Sequence, residues 1–200
     1  MPTPGLSDYF AWQDPPEAAD LIFVLAGQRD RKSYGLQLLR EGFSPRLILS
    51  VGRFEIRQPQ ALDLQCGSEL IDFARSQPVE RRHFFLDCNG HSQKITLVPC
   101  AGRGTYWELR TFASFLDKDS DTTTKTLMVV STSIHLRRIR YCCGIIPSLA
   151  RRNIVFVPVP ENLSLFRRDG CWKRPHDWSY VAKEYVKLAA YRFFYRNSRG

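Results

Sequence analysis

The sequence lacks the features that identify several large classes of protein. No apolar run approaches the roughly 20 residues that a membrane-spanning helix needs, and residues 1–5 do not resemble the start of a signal peptide. The six cysteines include no C-x-x-C pair, and none has a histidine at the spacing of a zinc site. We therefore expect a cytoplasmic protein with reduced thiols, no transmembrane segment and no bound metal.

Motifs of the common nucleotide and acyl-transfer sites are also absent. The chain has no G-x-G-x-x-G fingerprint, no P-loop and no G-x-S-x-G nucleophile elbow. It carries a formal net charge of +9, but its lysines and arginines are scattered rather than gathered in a tract. The charge is consistent with a solubilising surface or with attraction of a small anionic ligand, and we expect no specific nucleic-acid binding.

What is present is the composition of one ordinary globular domain. The 200 residues are 44% hydrophobic and 24% charged, which is sufficient for a sizeable core. Residues 1–19 are rich in proline and polar groups, so we interpret them as an N-terminal arm. Residues 20–200 are interpreted as a single domain. Nothing in the sequence indicates an oligomeric state.

Strands and helices alternate along this domain. Short apolar runs, typical of buried strands, cover residues 20–27, 46–52, 127–130 and 154–157. Two further strand-like runs, 83–87 and 94–98, flank the hairpin signal Asn89-Gly90. Helical patterns cover Asp30 to Gly42, 60–76, 106–116, Ser133 to Ile146 and 180–195, and 167–178 is expected to be a surface loop. The alternation predicts an α/β fold: a doubly wound, mostly parallel open sheet of Rossmann-like type, flanked by helices in three layers.

In such a sheet, ligands bind beyond the carboxyl ends of the strands, near the point where the strand order reverses. The loop after the first strand contains Gly27 and Arg31, and the loop after the second contains Ser50 and Gly52. Glycine lets a ligand approach the backbone, and the following helix offers free N–H groups to an anion. An ordinary β–α turn has the same appearance, so both interpretations stay open.

A third candidate loop precedes the helix over 106–116. Thr105 and Glu108 have the spacing of a capping box, in which the threonine caps the helix and the glutamate reaches back. The same helix start, with Arg103 beside it, could instead hold an anion, and Glu108 could act as a base or as a hydroxyl anchor. The residues favour neither interpretation over the other.

The fourth loop follows the strand over 127–130 and is the most informative. Ser131 and Thr132 place hydroxyls where the strand meets a helix, and His135 and Arg138 share a face of that helix. These groups suit a phosphate or carboxylate, and histidine can act as an acid or base near neutral pH. A capped helix with a buried histidine is the alternative. We favour function, because an arginine near a helix N-terminus opposes the dipole and needs a partner.

With these segments in view, the chain resembles the YdcF-like family, a bacterial domain family of unknown function that includes the envelope-associated proteins SanA and ElyC. The resemblance is carried by Asp20–Gly27, Arg31, Leu47–Gly52, Thr105 with Glu108, and the block Val129–Arg138. That block looks like the family's strand–Thr-Ser–x–x–His–x–x–Arg signature. Glu184 and Lys187 also resemble its C-terminal helix. The resemblance implies a Rossmann-like fold with a strand-end pocket and a link to the cell envelope.

Two functional hypotheses follow. In the first, the protein is an envelope-related enzyme that acts on a phosphorylated or nucleotide-like substrate, with His135 and Glu108 as the titrating groups. The ligand-binding residues would be Gly27, Arg31, Ser50, Gly52, Arg103, Thr105, Ser131, Thr132 and Arg138. In the second, the protein is a non-catalytic or regulatory module that binds a nucleotide-type ligand such as S-adenosylmethionine. No motif identifies a cofactor. Non-specific association with nucleic acid or anionic lipid is a third alternative.

Overall fold

The computed structural model describes residues 14–52, 72, 76, 78, 83–89, 92–97, 104–118, 124–164 and 173–195. Most of the predicted arm, Arg103 and nearly all of the helix predicted over 60–76 lie outside these residues. The strands are β1 (Leu21–Val24), β2 (Arg46–Val51), β3 (Phe84–Asn89), β4 (Ser92–Leu97), β5 (Thr126–Ser131) and β6 (Asn153–Pro158). The helices are α1 (Arg29–Arg40), α2 (Thr105–Lys118), α3 (Ser133–Ile145), α4 (Pro147–Ala150) and α5 (Pro175–Phe194).

The six described strands form one open sheet in the order β4-β3-β2-β1-β5-β6. β1, β2, β5 and β6 run parallel, whereas β3 pairs antiparallel with β2 and β4 pairs antiparallel with β3. The chain moves outward from β1 to β4 and then crosses back, so that β5 lies on the other side of β1. The strand order therefore reverses between β1 and β5. This confirms the predicted doubly wound α/β fold, and both strands of the predicted hairpin join the sheet.

Helices cover both faces of the sheet, because the strands are apolar on both sides. In β1, Ile22 and Val24 face one layer and Leu21 and Phe23 face the other. α1 packs on the first face, and α2 and α3 pack on the second. The ring of Phe23 stacks on that of Phe112 in α2, with centroids 3.7 Å apart. The result is the three-layer arrangement that the sequence predicts.

α5 packs mainly across α3 rather than on the sheet. Val181 and Leu188 of α5 contact Ile134 of α3, and all three side chains are buried. The helix begins at Pro175, so the loop predicted over 167–178 is wrong in its last part. Proline suits the first helical position, because its φ is already helical and its missing N–H would have had no partner there. Among the helices that the structure describes, none combines the length and apolar character needed to cross a bilayer.

Three of the cysteines lie among the described residues, and all three are buried and free of disulfides: Cys88, Cys142 and Cys143. Burial raises the pKa of the Cys142 thiol to about 12, although the charge of Arg138 opposes the shift. This thiol is therefore protonated at neutral pH and contributes as a small apolar group in the core rather than as a nucleophile.

Gly35 allows the close approach of α1 to the sheet. A Cβ at this position would lie 2.5 Å from Cγ2 of Val24, a stiff, buried side chain. We expect Gly35→Ala to lower the free energy of unfolding by about 1–3 kcal/mol, because the overlap outweighs the better helix propensity of alanine. Gly144→Ala in α3 is the matched control, since a Cβ there has no described neighbour within 4 Å. Urea denaturation should show destabilisation of the first variant and none of the second.

Candidate functional site

A cavity of about 560 Å³ lies at the point where the strand order reverses, beyond the carboxyl ends of β1 and β5. The loop after β1, the starts of α1 and α2, the first turns of α3 and one face of α5 all contribute to its wall. The described lining residues are Ala26, Gly27, Gln28, Arg31, Gly104, Thr105, Glu108, His135, Arg138, Tyr180, Glu184, Lys187 and Tyr191. We refer to it below as the strand-end cavity. Its position is where ligands bind in open α/β sheets.

Glu108 connects α2 to the loop after β1. Its Oε1 accepts a hydrogen bond from the Ala26 backbone N–H at 2.6 Å. The backbone N–H of Glu108 donates to the Gly104 carbonyl, so Gly104, with φ of 95°, occupies the N-cap position and Thr105 is the first helical residue. The capping-box interpretation of Thr105 and Glu108 is therefore wrong: the glutamate binds another loop instead of its own helix start.

Arg31 is a buried guanidinium, only 5% exposed, in the first turn of α1. Its Nη2 donates to Thr132 Oγ1 at 3.1 Å and to Tyr180 Oη at 3.3 Å, and its Nη1 lies 3.5 Å from the Ala26 carbonyl oxygen. Its Nε has no hydrogen-bond partner. Within the described part of the chain, Arg31 makes no ion pair with a carboxylate. The positive charge is thus held by neutral dipoles alone.

Glu184 organises the opposite wall of the cavity and is 3% exposed. Arg138 binds it through two hydrogen bonds, from Nε to Oε2 at 2.9 Å and from Nη2 to Oε1 at 3.1 Å. Lys187 Nζ donates to Oε1 at 3.1 Å, and His135 Nδ1 lies 3.2 Å from Oε2. We call these four residues the Glu184 cluster. A bidentate arginine–carboxylate pair of this kind restricts both side chains to one geometry.

Burial, together with the surrounding charges, determines the protonation of His135. Burial lowers the pKa of His135 to about 3, and the charges of Arg138 and Arg31 add to that effect, against the contact with Glu184. Burial alone would raise the pKa of Glu184, but its contacts with His135, Arg138 and Lys187 bring it below the ordinary range of glutamate. At neutral pH the imidazole is neutral. Its Nδ1 can accept from Arg138 Nη2, 2.8 Å away, or donate to Glu184, but not both at once.

The structure brings several of the predicted site residues together. Six of the predicted site residues line the strand-end cavity: Gly27, Arg31, Thr105, Glu108, His135 and Arg138. Thr132 lies behind this lining and orients Arg31. Ser131 is fully buried in β5. Ser50 Oγ lies 2.9 Å from His83 Nε2, and neither Ser50 nor Gly52 is among the described lining residues. Arg103 lies outside the described residues.

The site residues that sequence reasoning did not select come from α5. Tyr180, Glu184, Lys187 and Tyr191 all line the cavity. A signal for Glu184 was available, because it lies on the same helical face as the buried Val181 and Leu188. A charged residue at such an apolar position needs a buried partner. The identity of that partner, Arg138, was not readable from the helix alone.

The charged groups of the cavity differ in how they are compensated. Arg138 and Lys187 share the carboxylate of Glu184, whereas the guanidinium of Arg31 contacts no carboxylate among the described residues. The backbone N–H of Arg31 donates to Asp30 Oδ1 at 2.9 Å. Across those same residues, no three histidine, cysteine, aspartate or glutamate side chains are grouped as metal ligands would be. The cavity therefore contains one guanidinium, that of Arg31, which no carboxylate among the described residues binds.

Acid should destabilise the protein through His135. The unfolded chain binds a proton on this histidine near pH 6.5, and the folded protein does not until about pH 3. The free energy of unfolding should therefore fall as the pH drops below 6.5, by up to about 1.4 kcal/mol per pH unit. His135→Gln cannot titrate and should show a flatter profile in urea denaturation between pH 7 and pH 5. Parallel profiles for wild type and variant would contradict the assignment.

Removing the charge of Glu184 should be costly for stability. Glu184→Gln leaves the buried Arg138 without its counter-charge, so we expect the free energy of unfolding to fall by about 3 kcal/mol. Glu41→Gln is a matched control, because Glu41 is exposed and bonds only the side chain of Gln37 through its carboxylate. Its effect should stay within about 0.5 kcal/mol. Equal melting temperatures for the two variants would show that the Glu184 cluster does not stabilise the fold.

Comparison with known proteins does not extend this description. No family model, no curated protein and no solved structure matches the chain. The resemblance to the YdcF-like family therefore stays a prediction that depends on the residues quoted for it. The functional argument below depends on the geometry of the strand-end cavity.

Proposed function

We propose that the protein binds a small anionic ligand, bearing a phosphate or carboxylate group, in the strand-end cavity. A volume of about 560 Å³ lies within the range of small-molecule sites and is sufficient for a ligand of nucleotide size. α1 and α3 both begin beside the cavity, and the positive ends of their helix dipoles add to its potential. The Arg31 N–H already binds Asp30 Oδ1, and the His135 N–H binds the Thr132 carbonyl. These features support a bound anion rather than an apolar ligand.

The observation that carries the proposal is the state of Arg31. A buried charge is unfavourable unless it is paired, and the described contacts of the Arg31 guanidinium are to a hydroxyl, a phenol and a carbonyl. Thr132 and Tyr180 hold the guanidinium in place, and their hydroxyls are 3.0 Å apart. An anionic ligand would supply the missing counter-charge. The arginine is thus oriented in advance for a partner that the described residues do not provide.

Arg138 takes a different role from the one expected for an anion clamp. Its guanidinium already binds Glu184 through two hydrogen bonds. It therefore acts as a positioning residue, which holds α5 and His135 in place. In this proposal, the ligand directly contacts Arg31 and the first turns of α1 and α3.

The pKa of His135 supports binding over acid–base catalysis in the free protein. With a pKa lowered to about 3, the imidazole is a weak base and carries no proton to donate at neutral pH. A bound anion would raise that pKa again, because it opposes the charges of Arg31 and Arg138. Catalysis is the second candidate, supported by the presence of His135 and Glu108 in the same cavity. The family resemblance alone supports an envelope-related substrate.

The test compares two arginines of the same helix. Arg31→Gln removes the buried charge, whereas Arg29→Gln removes an exposed charge that does not line the strand-end cavity. Nucleotides, S-adenosylmethionine, sugar phosphates and polyprenyl-phosphate analogues are screened at fixed salt by thermal shift, and binders are titrated calorimetrically. We expect Arg31→Gln to weaken binding by at least about 10-fold, and Arg29→Gln to leave it within about twofold.

Two results would contradict the proposal. One is an Arg31→Gln variant that binds the same ligand as tightly as the wild type. The other is a wild-type protein that binds none of the anionic probes while its melting curve shows an intact fold. Equal loss in both arginine variants would indicate a general effect of net charge rather than a site.

A further inference from the structure

Two carboxylates line the strand-end cavity among the described residues, and they differ in their contacts. Glu184 is saturated by Arg138, Lys187 and His135. Glu108 is also buried, at 8% exposure, but only its Oε1 is bound, by the Ala26 N–H. Its Oε2 makes no hydrogen bond to any residue that the structure describes. A carboxylate can only accept hydrogen bonds, so Oε2 offers an acceptor to whatever occupies the cavity.

Arg31 and Glu108 approach the same residue from its two polar ends. Glu108 Oε1 binds the N–H of Ala26, and Arg31 Nη1 lies 3.5 Å from its carbonyl oxygen. Both side chains line the cavity beside Ala26, and the described contacts include no ion pair between them. A bare anion on Arg31 would be repelled by Glu108. A ligand that carries a hydrogen-bond donor next to its anionic group would satisfy both side chains.

We propose that the ligand is a phosphorylated polyol or sugar. Its phosphate binds Arg31, and a neighbouring hydroxyl donates a hydrogen bond to Glu108 Oε2. This inference rests on the proposed function, because it assigns the second contact of the same anion site. Glu108 acts as a specificity-determining residue that selects phosphates with an adjacent hydroxyl.

The charges of the cavity favour a hydroxyl donor over an ammonium group. Arg31, Arg138 and Lys187 outnumber the two carboxylates, and His135 is neutral, so the described lining has one positive charge in excess. A hydroxyl-bearing phosphate brings a net negative charge and compensates this excess. An ammonium group on the ligand would cancel part of its negative charge and would lie near three cations.

The test uses three small phosphates of similar size: glycerol 3-phosphate, n-propyl phosphate and 2-aminoethyl phosphate. Each is titrated calorimetrically into the wild-type protein at one pH and one salt concentration. We expect glycerol 3-phosphate to bind at least about 10-fold more tightly than propyl phosphate, because the hydroxyl gains a charge-assisted hydrogen bond. 2-Aminoethyl phosphate should bind no more tightly than propyl phosphate. This comparison needs no variant and therefore does not depend on refolding.

The variant Glu108→Gln tests whether Glu108 causes the preference for glycerol 3-phosphate over propyl phosphate. The amide oxygen of glutamine can still accept from the Ala26 N–H, while the amide nitrogen replaces Oε2 as the group that faces the ligand. We expect the preference for glycerol 3-phosphate to fall to about twofold or less, and propyl phosphate to bind as tightly as before or more tightly. Glu41→Gln, which removes an exposed carboxylate at the C-cap of α1, should keep the full preference.

The outcomes separate this inference from the proposed function. Equal binding of glycerol 3-phosphate and propyl phosphate to the wild type, with both lost in Arg31→Gln, would overturn the hydroxyl contact and leave the anion site intact. Tighter binding of 2-aminoethyl phosphate would overturn it in favour of a zwitterionic ligand. Failure of all three phosphates to bind, together with failure of the larger anionic probes, would overturn the anion site itself.

Discussion

The pairing of β1 with β5 is the constraint on which the site depends. Ile22 lies beside Met128 and Phe23 beside Val129 in parallel register, although more than one hundred residues separate the two strands. The crossover that produces this pairing reverses the strand order and separates the loops that leave the two carboxyl ends. The strand-end cavity occupies the gap between those loops. Its walls are therefore a consequence of topology rather than of any one motif.

The buried polar groups around this gap are compensated unevenly. On the side of α5, the carboxylate of Glu184 contacts Arg138 and His135 of α3 and Lys187 of its own helix. These contacts compensate the buried charges where α5 packs against α3. On the side of α1, Arg31 is held by a threonine, a tyrosine and a carbonyl. In a structural ion pair, each buried charge normally has an opposite charge as its partner, as Glu184 and Arg138 do. The second arrangement, a buried guanidinium held by neutral groups, is the observation on which the proposed anion site depends.

Much of the fold was predictable because it follows from local patterns. The apolar runs of β1, β2, β5 and β6 predicted buried strands, and the helical pattern over 106–116 predicted α2. The predictions that proved wrong lie at element boundaries. One interpretation made Thr105 a helix cap, and Trp178 was predicted to lie in a loop. In the structure Gly104 is the N-cap of α2, and α5 already begins at Pro175. Helix starts depend on backbone geometry that side-chain spacing does not determine.

The site was predictable only in part, because its groups meet through contacts over long distances in sequence. The predicted strand ends and helix starts were sufficient to place the site at the point where the strand order reverses and to select Arg31, His135 and Arg138. Their hydrogen-bond partners could not be predicted, because they lie far away in the sequence. Glu108 and Ala26 are 82 positions apart, Arg31 and Thr132 are 101 apart, and Arg138 and Glu184 are 46 apart. By itself, the sequence determined the order of elements and which faces are apolar, because these depend on neighbours along the chain. Tertiary structure alone decided which charges are compensated and which face the cavity, because burial and pairing depend on neighbours in space.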